Sequence, residues 1–273
     1  MTRVDATPLN DEVRPVRRPE SFSKFVRVLK TALAILGGVL VWQFTSTVLV
    51  SNILFPTPGA TFQEALRMAA NGELFSDAGA SLARIAVGFV IGSAIGVMLG
   101  LAAGYFEIAR LAVGPYLQFF RFVPPIAWIS PAIIWFGIGE TSKIFIIVYG
   151  TVFVVALSTI AGVTSVHKDK IRAAMMFGAT NWQIFAMVIV PSTVYHSLTG
   201  MRLAMGIAFM TVVAAEMLGA ESGLGYLILS SRLWMATDRI FVGIIVLGLL
   251  GLLTDRILSA LIERFAAKYR GYS

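Results

Sequence analysis

The chain contains no cysteine, which excludes disulfides, thiolate nucleophiles and thiolate-held metals. Histidine is nearly as scarce, with two residues. His167 and His196 stand without a second ligand at metal-binding spacing and read as polar helix-end or interface residues. No metal site is expected. Charge is also sparse: 14% of residues are Asp, Glu, Lys or Arg, against about a quarter in an ordinary soluble domain. There is no phosphate cradle of the form G-x-x-x-x-G-K-[ST]; "GIGETSK" at 137–143 holds its ingredients in the wrong order and falls where a tight turn between apolar runs explains it. Ser-x-x-Lys, His-Glu-x-x-His and a paired-carboxylate cleft are missing too. The sequence therefore points to a non-catalytic chain with no bound cofactor.

What is abundant is apolar surface. Apolar residues make up 57% of the chain, and the mean hydropathy is +0.81. The charges are pushed into the first thirty residues, short gaps and the last eighteen. A helix needs about 20 apolar residues to cross the hydrocarbon, and such runs fall near 31–53, 82–104, 111–137, 142–165, 184–219 and 240–262. The expected class is an all-α membrane protein with six transmembrane helices. Lys and Arg concentrate in the tails and in the loops on the N-terminal side, so the positive-inside rule places both termini in the cytoplasm. The net charge of +7 then orients the chain in the bilayer, and nucleic acid is not an expected partner. Residues 1–25 read as a disordered cytoplasmic tail and 26–273 as the transmembrane domain. The first apolar run starts late, near Thr31, and has the length of a full span, so a signal peptide is not expected.

Several features stand out within this plan. Gly88, Gly92, Gly96, Gly100 and Gly104 recur every fourth residue in the second span, a stripe without side chains that suits close helix packing. In 54–80, Phe62, Ala65, Leu66 and Ala69 lie at helical spacing, as in a short helix along the outer interface. The fifth run is too long for one crossing and should extend into the cytoplasm or kink at Pro191. Charges inside spans are costly. Arg84 reads as a snorkelling residue near the outer end of its span, while Arg202 and Glu216 lie fourteen positions apart on one helix, about 21 Å. Glu216 therefore needs a partner from another span or subunit, either lining a path or locking helices together. Pro124 and Pro125 should stop the third helix near Phe122 and restart it at the second proline. With Arg121 nearby, the restarted N-terminus could face an anion; a simple kink is the rival reading.

Resemblance enters at "IRAAMMFGATNWQIFAMVIVP", residues 171–191. Membrane subunits of ABC importers share a signature of Glu-Ala-Ala, three residues, Gly, nine residues, Ile, one residue, Leu-Pro. Ala173, Ala174, Gly178, Val188, Val190 and Pro191 fall at those places, and Arg172 replaces the glutamate. From about 50 to 265 the chain is similar to nitrate, sulfonate and taurine permeases. "SLARIAVGF", "FRFVPPIAWISPAIIWFGIGETSKIF", "LTGMRLAMG" and "VAAEMLGAESGLGYLI" carry the match, which looks most like taurine and alkanesulfonate members. The resemblance implies a type I ABC importer permease in the bacterial inner membrane. It implies a second copy of the chain, two ATPase subunits that hold ATP and Mg, and a periplasmic or lipid-anchored solute-binding protein as partners, besides membrane lipid. It also implies a coupling helix at about 168–182, within the loop 166–183, with Arg172, Ala173, Ala174, Gly178, Ala179 and Pro191 as the residues that couple the chain to the ATPase. Arg121, Pro124, Pro125 and Glu216 are the candidates for pathway or gate. Aromatic acids, bicarbonate or a thiamine-precursor pyrimidine are alternative solutes. An ion-coupled secondary transporter is the reading from another class; it predicts an inverted repeat, which the sequence does not display.

Overall fold

The computed structural model describes residues 20–49 and 54–266, and among these there is no strand. The first helix, α1, spans Glu20–Phe44 and ends in a π-helical turn over Thr45–Leu49. It begins ahead of the tail boundary expected near residue 25; the rest of the tail, with its expected disorder, lies outside the described residues. There follow α2 (Pro58–Ala70), α3 (Glu73–Tyr105), α4 (Glu107–Phe120), α5 (Ile129–Phe136) and α6 (Glu140–Thr164). The last are α7 (Lys168–Met176), α8 (Asn181–Ile184), α9 (Val190–Gly219), α10 (Leu224–Leu233) and α11 (Thr237–Ala266). Five segments are long and apolar enough to cross a membrane, and α4 with 125–136 supplies a sixth as a pair bent by 97°.

The centre of the fold is α6, packed between α3 and α9. All five stripe glycines of α3 press on it. A Cβ at Gly88 would stand 2.6 Å from Ile147 Cγ2, one at Gly96 2.8 Å from the Val152 carbonyl, and one at Gly100 2.5 Å from Thr159 Cβ. The α6–α9 contact uses the same device from both sides: a Cβ on Gly162 would meet His196, and one on Gly200 would meet Ser158. Between them Ile85, Phe89, Ile147, Val155, Ala204, Ala208 and Val212 form the buried apolar core. Three of the buried hydroxyls on these faces, those of Thr151, Thr159 and Ser197, find partners without separating the helices. Thr151 and Thr159 donate back to Ile147 and Val155 carbonyls at 2.8 Å, and Thr159 and Ser197 Oγ atoms sit 3.0 Å apart across the contact.

The structure decides four points that the sequence left open or missed. For the fifth span, expected either to extend past the bilayer or to kink at Pro191, the structure shows the extension. Residues Asn181–Met217 run on as one apolar helix, about 55 Å long at 1.5 Å per residue, so it projects well beyond ~30 Å of hydrocarbon. The turn before the proline is π-helical, over Phe185–Ile189, and the wider ladder relieves the clash of the ring with the preceding turn. The third span breaks as its two prolines predict rather than merely kinking: α4 ends at Phe120, two residues before the expected stop, and a 3-10 turn resumes at Pro125–Trp128. In α2 the apolar stripe is split: Phe62 and Leu66 are exposed, as suits a helix along the interface, while Ala65 and Ala69 pack inward beside Met68 against Leu74, Leu224, Leu227 and Val242, and Thr61 and Glu64 are buried as well. A lipid-facing position selects apolar residues as strongly as a core does. Finally, α10 was not anticipated, because ten residues are too few to read as a span.

The glycine contacts predict a specific sensitivity. Gly96→Val should cost on the order of 1–3 kcal/mol through overpacking, whereas Gly38→Ala in α1, where a Cβ meets nothing within 4 Å, should be neutral or stabilising. Thermal unfolding of the purified variants in detergent checks this; equal midpoints for Gly96→Val and the parent would refute it.

Candidate functional site

The proline break opens the first candidate feature. Pro124 and Pro125 offer no N–H to the preceding turns, so the last carbonyls of α4 lose their helical partners. The Tyr149 hydroxyl of α6 takes their place as donor, at 2.7 Å to the Phe120 carbonyl and 3.3 Å to that of Val123. Beside the break lies a cavity of about 300 Å³ lined by Phe120, Arg121, Pro125, Tyr149, Phe153 and Ile207, among others. Its wall is largely apolar and aromatic. Arg121 is exposed at its edge, with its guanidinium 4.6 Å from the Phe122 ring. The predicted break and Arg121 are thus brought together at one opening.

Glu216 lies elsewhere. It is fully buried, and its partner is Arg84, itself 6% exposed. Arg84 does not snorkel. Its Nη1 donates to Glu216 Oε1 and to the Ser222 carbonyl, both at 2.7 Å, while Nε and Nη2 form a fork onto the two Glu140 oxygens at 2.7 and 2.8 Å. Ser81 Oγ lies 2.9 Å from both Glu216 oxygens and accepts from Leu224 N–H, and Gly225 N–H donates to Glu216 Oε2 at 2.9 Å. Asp77 takes the Gly223 N–H at 2.8 Å, and Lys143, also 6% exposed, donates to Glu140 Oε1 at 3.0 Å. The cluster joins α3, the first turn of α6, the end of α9 and the start of α10. It fits because position 223 has no side chain: φ is +115°, and a Cβ there would lie 2.4 Å from the Glu216 carboxyl carbon. The sequence could not pair residues 132 positions apart, although the demand of Glu216 for a partner was visible. Arg202, the other intramembrane charge, forms a two-bond ion pair with Asp255 of α11 at 2.8 Å.

The segment between α6 and α9 is a third element. The α7 helix stops at Gly178, which adopts φ +78° and donates its N–H to the Met175 carbonyl at 2.9 Å. Thr180 and Gln183 then start α8 with a reciprocal capping box. Ala173 and Gly178 lie on the surface, while Ala174 and Ala179 turn inward onto Val163, Ile184 and Ile189. The expected small-residue surface is therefore divided between an outer and an inner face. Arg172 pairs with Asp169 of its own helix at 3.3 Å. Met176 and Phe177 at the tip are 88% and 92% exposed. Trp182 is exposed and stacks near Phe185, which packs on Tyr105 and Phe106 at the end of α3. Among the described residues no cluster of His, Asp and Glu is arranged to hold a metal ion.

Residues 92–267 match the family described as binding-protein-dependent transport system inner membrane component. The chain is 41% identical over 208 residues to an ABC transporter permease protein of Brucella melitensis, covering 76% of this chain and 85% of that one. It is 36% identical over 228 residues to the taurine transport system permease protein of Escherichia coli, covering 82% and 83%. With the nitrate import permease protein of Synechocystis it shares 29% over 261 residues, covering 91% and 94%. Among solved structures, a methionine ABC transporter in inward-facing conformations matches with a TM-score of 0.59 at 18% identity, covering 67% of this chain and 92% of that chain.

The buried cluster should behave as a coupled unit. Arg84→Met leaves Glu216 unpaired in the interior and is expected to cost about 3–5 kcal/mol. Adding Glu216→Gln should then cost less than its single effect, with a coupling of about 1 kcal/mol or more. Denaturant unfolding of the two single variants and the double variant measures this, and strictly additive losses would count against the pairing.

Proposed function

This chain belongs to the family of binding-protein-dependent transport system inner membrane components, and on that premise we propose that it forms the path by which an ATP-driven importer admits a small oxyanion of the taurine, alkanesulfonate or nitrate kind. It is a multi-pass inner-membrane transport component rather than a catalyst. The substrate class is supported by the names of its relatives, including an aliphatic sulfonates transport permease protein of Bacillus subtilis at 35% identity over 233 residues. Two copies would face each other across the break, where exposed Ile134, Leu203 and Met210 leave apolar faces without partners in one chain. The basic tails favour an orientation with both termini inside, which would turn the Arg84 end of the bundle outward, toward a solute-binding protein.

The single observation that carries the coupling role is the shape of 168–184. Its tip, Met176 and Phe177, is bare, while its root is sealed by Ala174, Ala179 and Ile184 against the inner ends of α6 and α9. A bare apolar tip on a firmly rooted element is what docking into a groove of an ATPase requires. Closure of the ATPases around ATP would displace the tip, and the unbroken helix from Asn181 would carry that movement to the cavity beside Pro125. The permease itself need supply no chemistry. Arg172, held by Asp169, would set the charge of the docking face, so a complementary ATPase surface is expected to be acidic or neutral there.

Because Phe177 contributes almost nothing to the fold, Phe177→Ala should leave the unfolding midpoint unchanged yet lower ATP-driven uptake in reconstituted vesicles by tenfold or more. Gly178→Asp, which places a charge at the same tip, should uncouple ATP hydrolysis from uptake while the permease still inserts. Uptake retained in both variants would remove the docking role.

A further inference from the structure

The Arg84 cluster is built asymmetrically. Toward the interior, Glu216 is fully buried and is held by Arg84, Ser81 and the Gly225 N–H. Toward the outside, the Glu140 side chain is 57% exposed, although the two cations it pairs with, Arg84 and Lys143, are almost wholly buried. Buried cations are thus capped by a carboxylate that water already reaches. A cavity of about 300 Å³ adjoins this cap, with Arg84, Lys143, Gly139, Gly219 and Ser222 in its wall and Glu221 at its exposed rim.

We propose that this cavity is an anion-exchange seat, in which Glu140 swings off Arg84 and Lys143 and one monovalent oxyanion, a sulfonate or carboxylate, takes its place. The chemistry follows from the fork. Nε and Nη2 of Arg84 present two parallel donors to the Glu140 oxygens, and any group with two oxygens on one centre can accept the same pair. Lys143 Nζ, which bonds to Glu140 Oε1, supplies a third donor. Charge balance sets the valence. Glu216 neutralises Arg84 from within, so departure of Glu140 leaves the single charge of Lys143 to be met. A dianion would overcharge the site, facing Glu216 behind and Glu221 at the rim; Asp77 is turned away, onto the Gly223 N–H. The tethered carboxylate is a competitor at high effective concentration. It keeps the seat closed to solvent anions at low concentration and yields to a solute delivered directly to the mouth.

The proposal rests on the importer reading for its sidedness, and its test does not. The full-length chain, purified in detergent, is followed by thermal unfolding in sodium methanesulfonate, with sodium chloride and sodium sulfate at matched ionic strength. Methanesulfonate should raise the midpoint above the chloride value, and Glu140→Gln should lower the concentration for half the effect at least tenfold. Sulfate should not substitute. Lys143→Gln, which keeps the native cap, should abolish the methanesulfonate effect. If Glu140→Gln fails to fold, the Lys143→Gln comparison alone decides. The proposal is overturned if methanesulfonate and chloride are equivalent in the parent and in Glu140→Gln, if Lys143→Gln leaves the effect intact, or if phosphatidylglycerol protects where methanesulfonate does not. Uptake of taurine by the reconstituted parent, measured separately, tests the importer reading whichever way the seat is decided.

Discussion

Backbone contact between α3 and α6 is the constraint on which the rest of the geometry depends. Inside a bilayer, lipid tails are as apolar as leucine, so two helices gain little by hiding greasy side chains from each other. What they gain by touching is dispersion and the exclusion of gaps, and both grow as the backbones approach. Five glycines at four-residue intervals permit that approach along most of the span. The same closeness brings Arg84, one turn before Gly88, within 2.8 Å of Glu140 at the first turn of α6. A single side chain inserted in the seam would separate these charges before it disturbed anything else.

The charged cluster uses that closeness to fasten elements that packing holds less well. The α10 helix is short, and its N-terminal amides at Gly223, Leu224 and Gly225 would otherwise lack acceptors. Asp77, Ser81 and Glu216 receive them in turn. The ionic network is therefore also the cap of a helix, and its polar atoms find partners on four segments. Desolvation of the ions works against this arrangement, and the density of hydrogen bonds around each of them is what makes the burial sustainable.

Legibility in the sequence followed the range of the interaction concerned. The glycine stripe and the Pro124–Pro125 break were readable because period and ring chemistry are local properties. Glu216 announced a need, but Arg84 lies 132 positions away, and nothing in its surroundings distinguished a buried arginine from a snorkelling one. Asp255 was invisible as the partner of Arg202 for the same reason. In α2 the local signal was incomplete, since Phe62 and Leu66 are exposed while Ala65 and Ala69 pack inward and Glu64 is buried. Periodicity identifies a helix's apolar face; in a membrane it does not say whether that face meets protein or lipid. The family resemblance located the 168–184 segment, yet which of its alanines point inward emerged only from the packing of Ala174 and Ala179 on Ile184 and Ile189.

The π-helical turn at Phe185–Ile189 has a rotational consequence. Each residue of an α-helix advances the azimuth by about 100°, and a π turn absorbs one extra residue. It therefore resets the angular phase between the segment that carries Trp182 and the helix that presents Ala204, Ala208 and Val212 to α6. The proline that follows makes this phase difficult to change, because an ordinary α turn would drive its ring into the preceding carbonyls. The joint behaves like a keyed shaft, in which thrust is transmitted along the axis while the angle between its two ends is fixed by one residue of count.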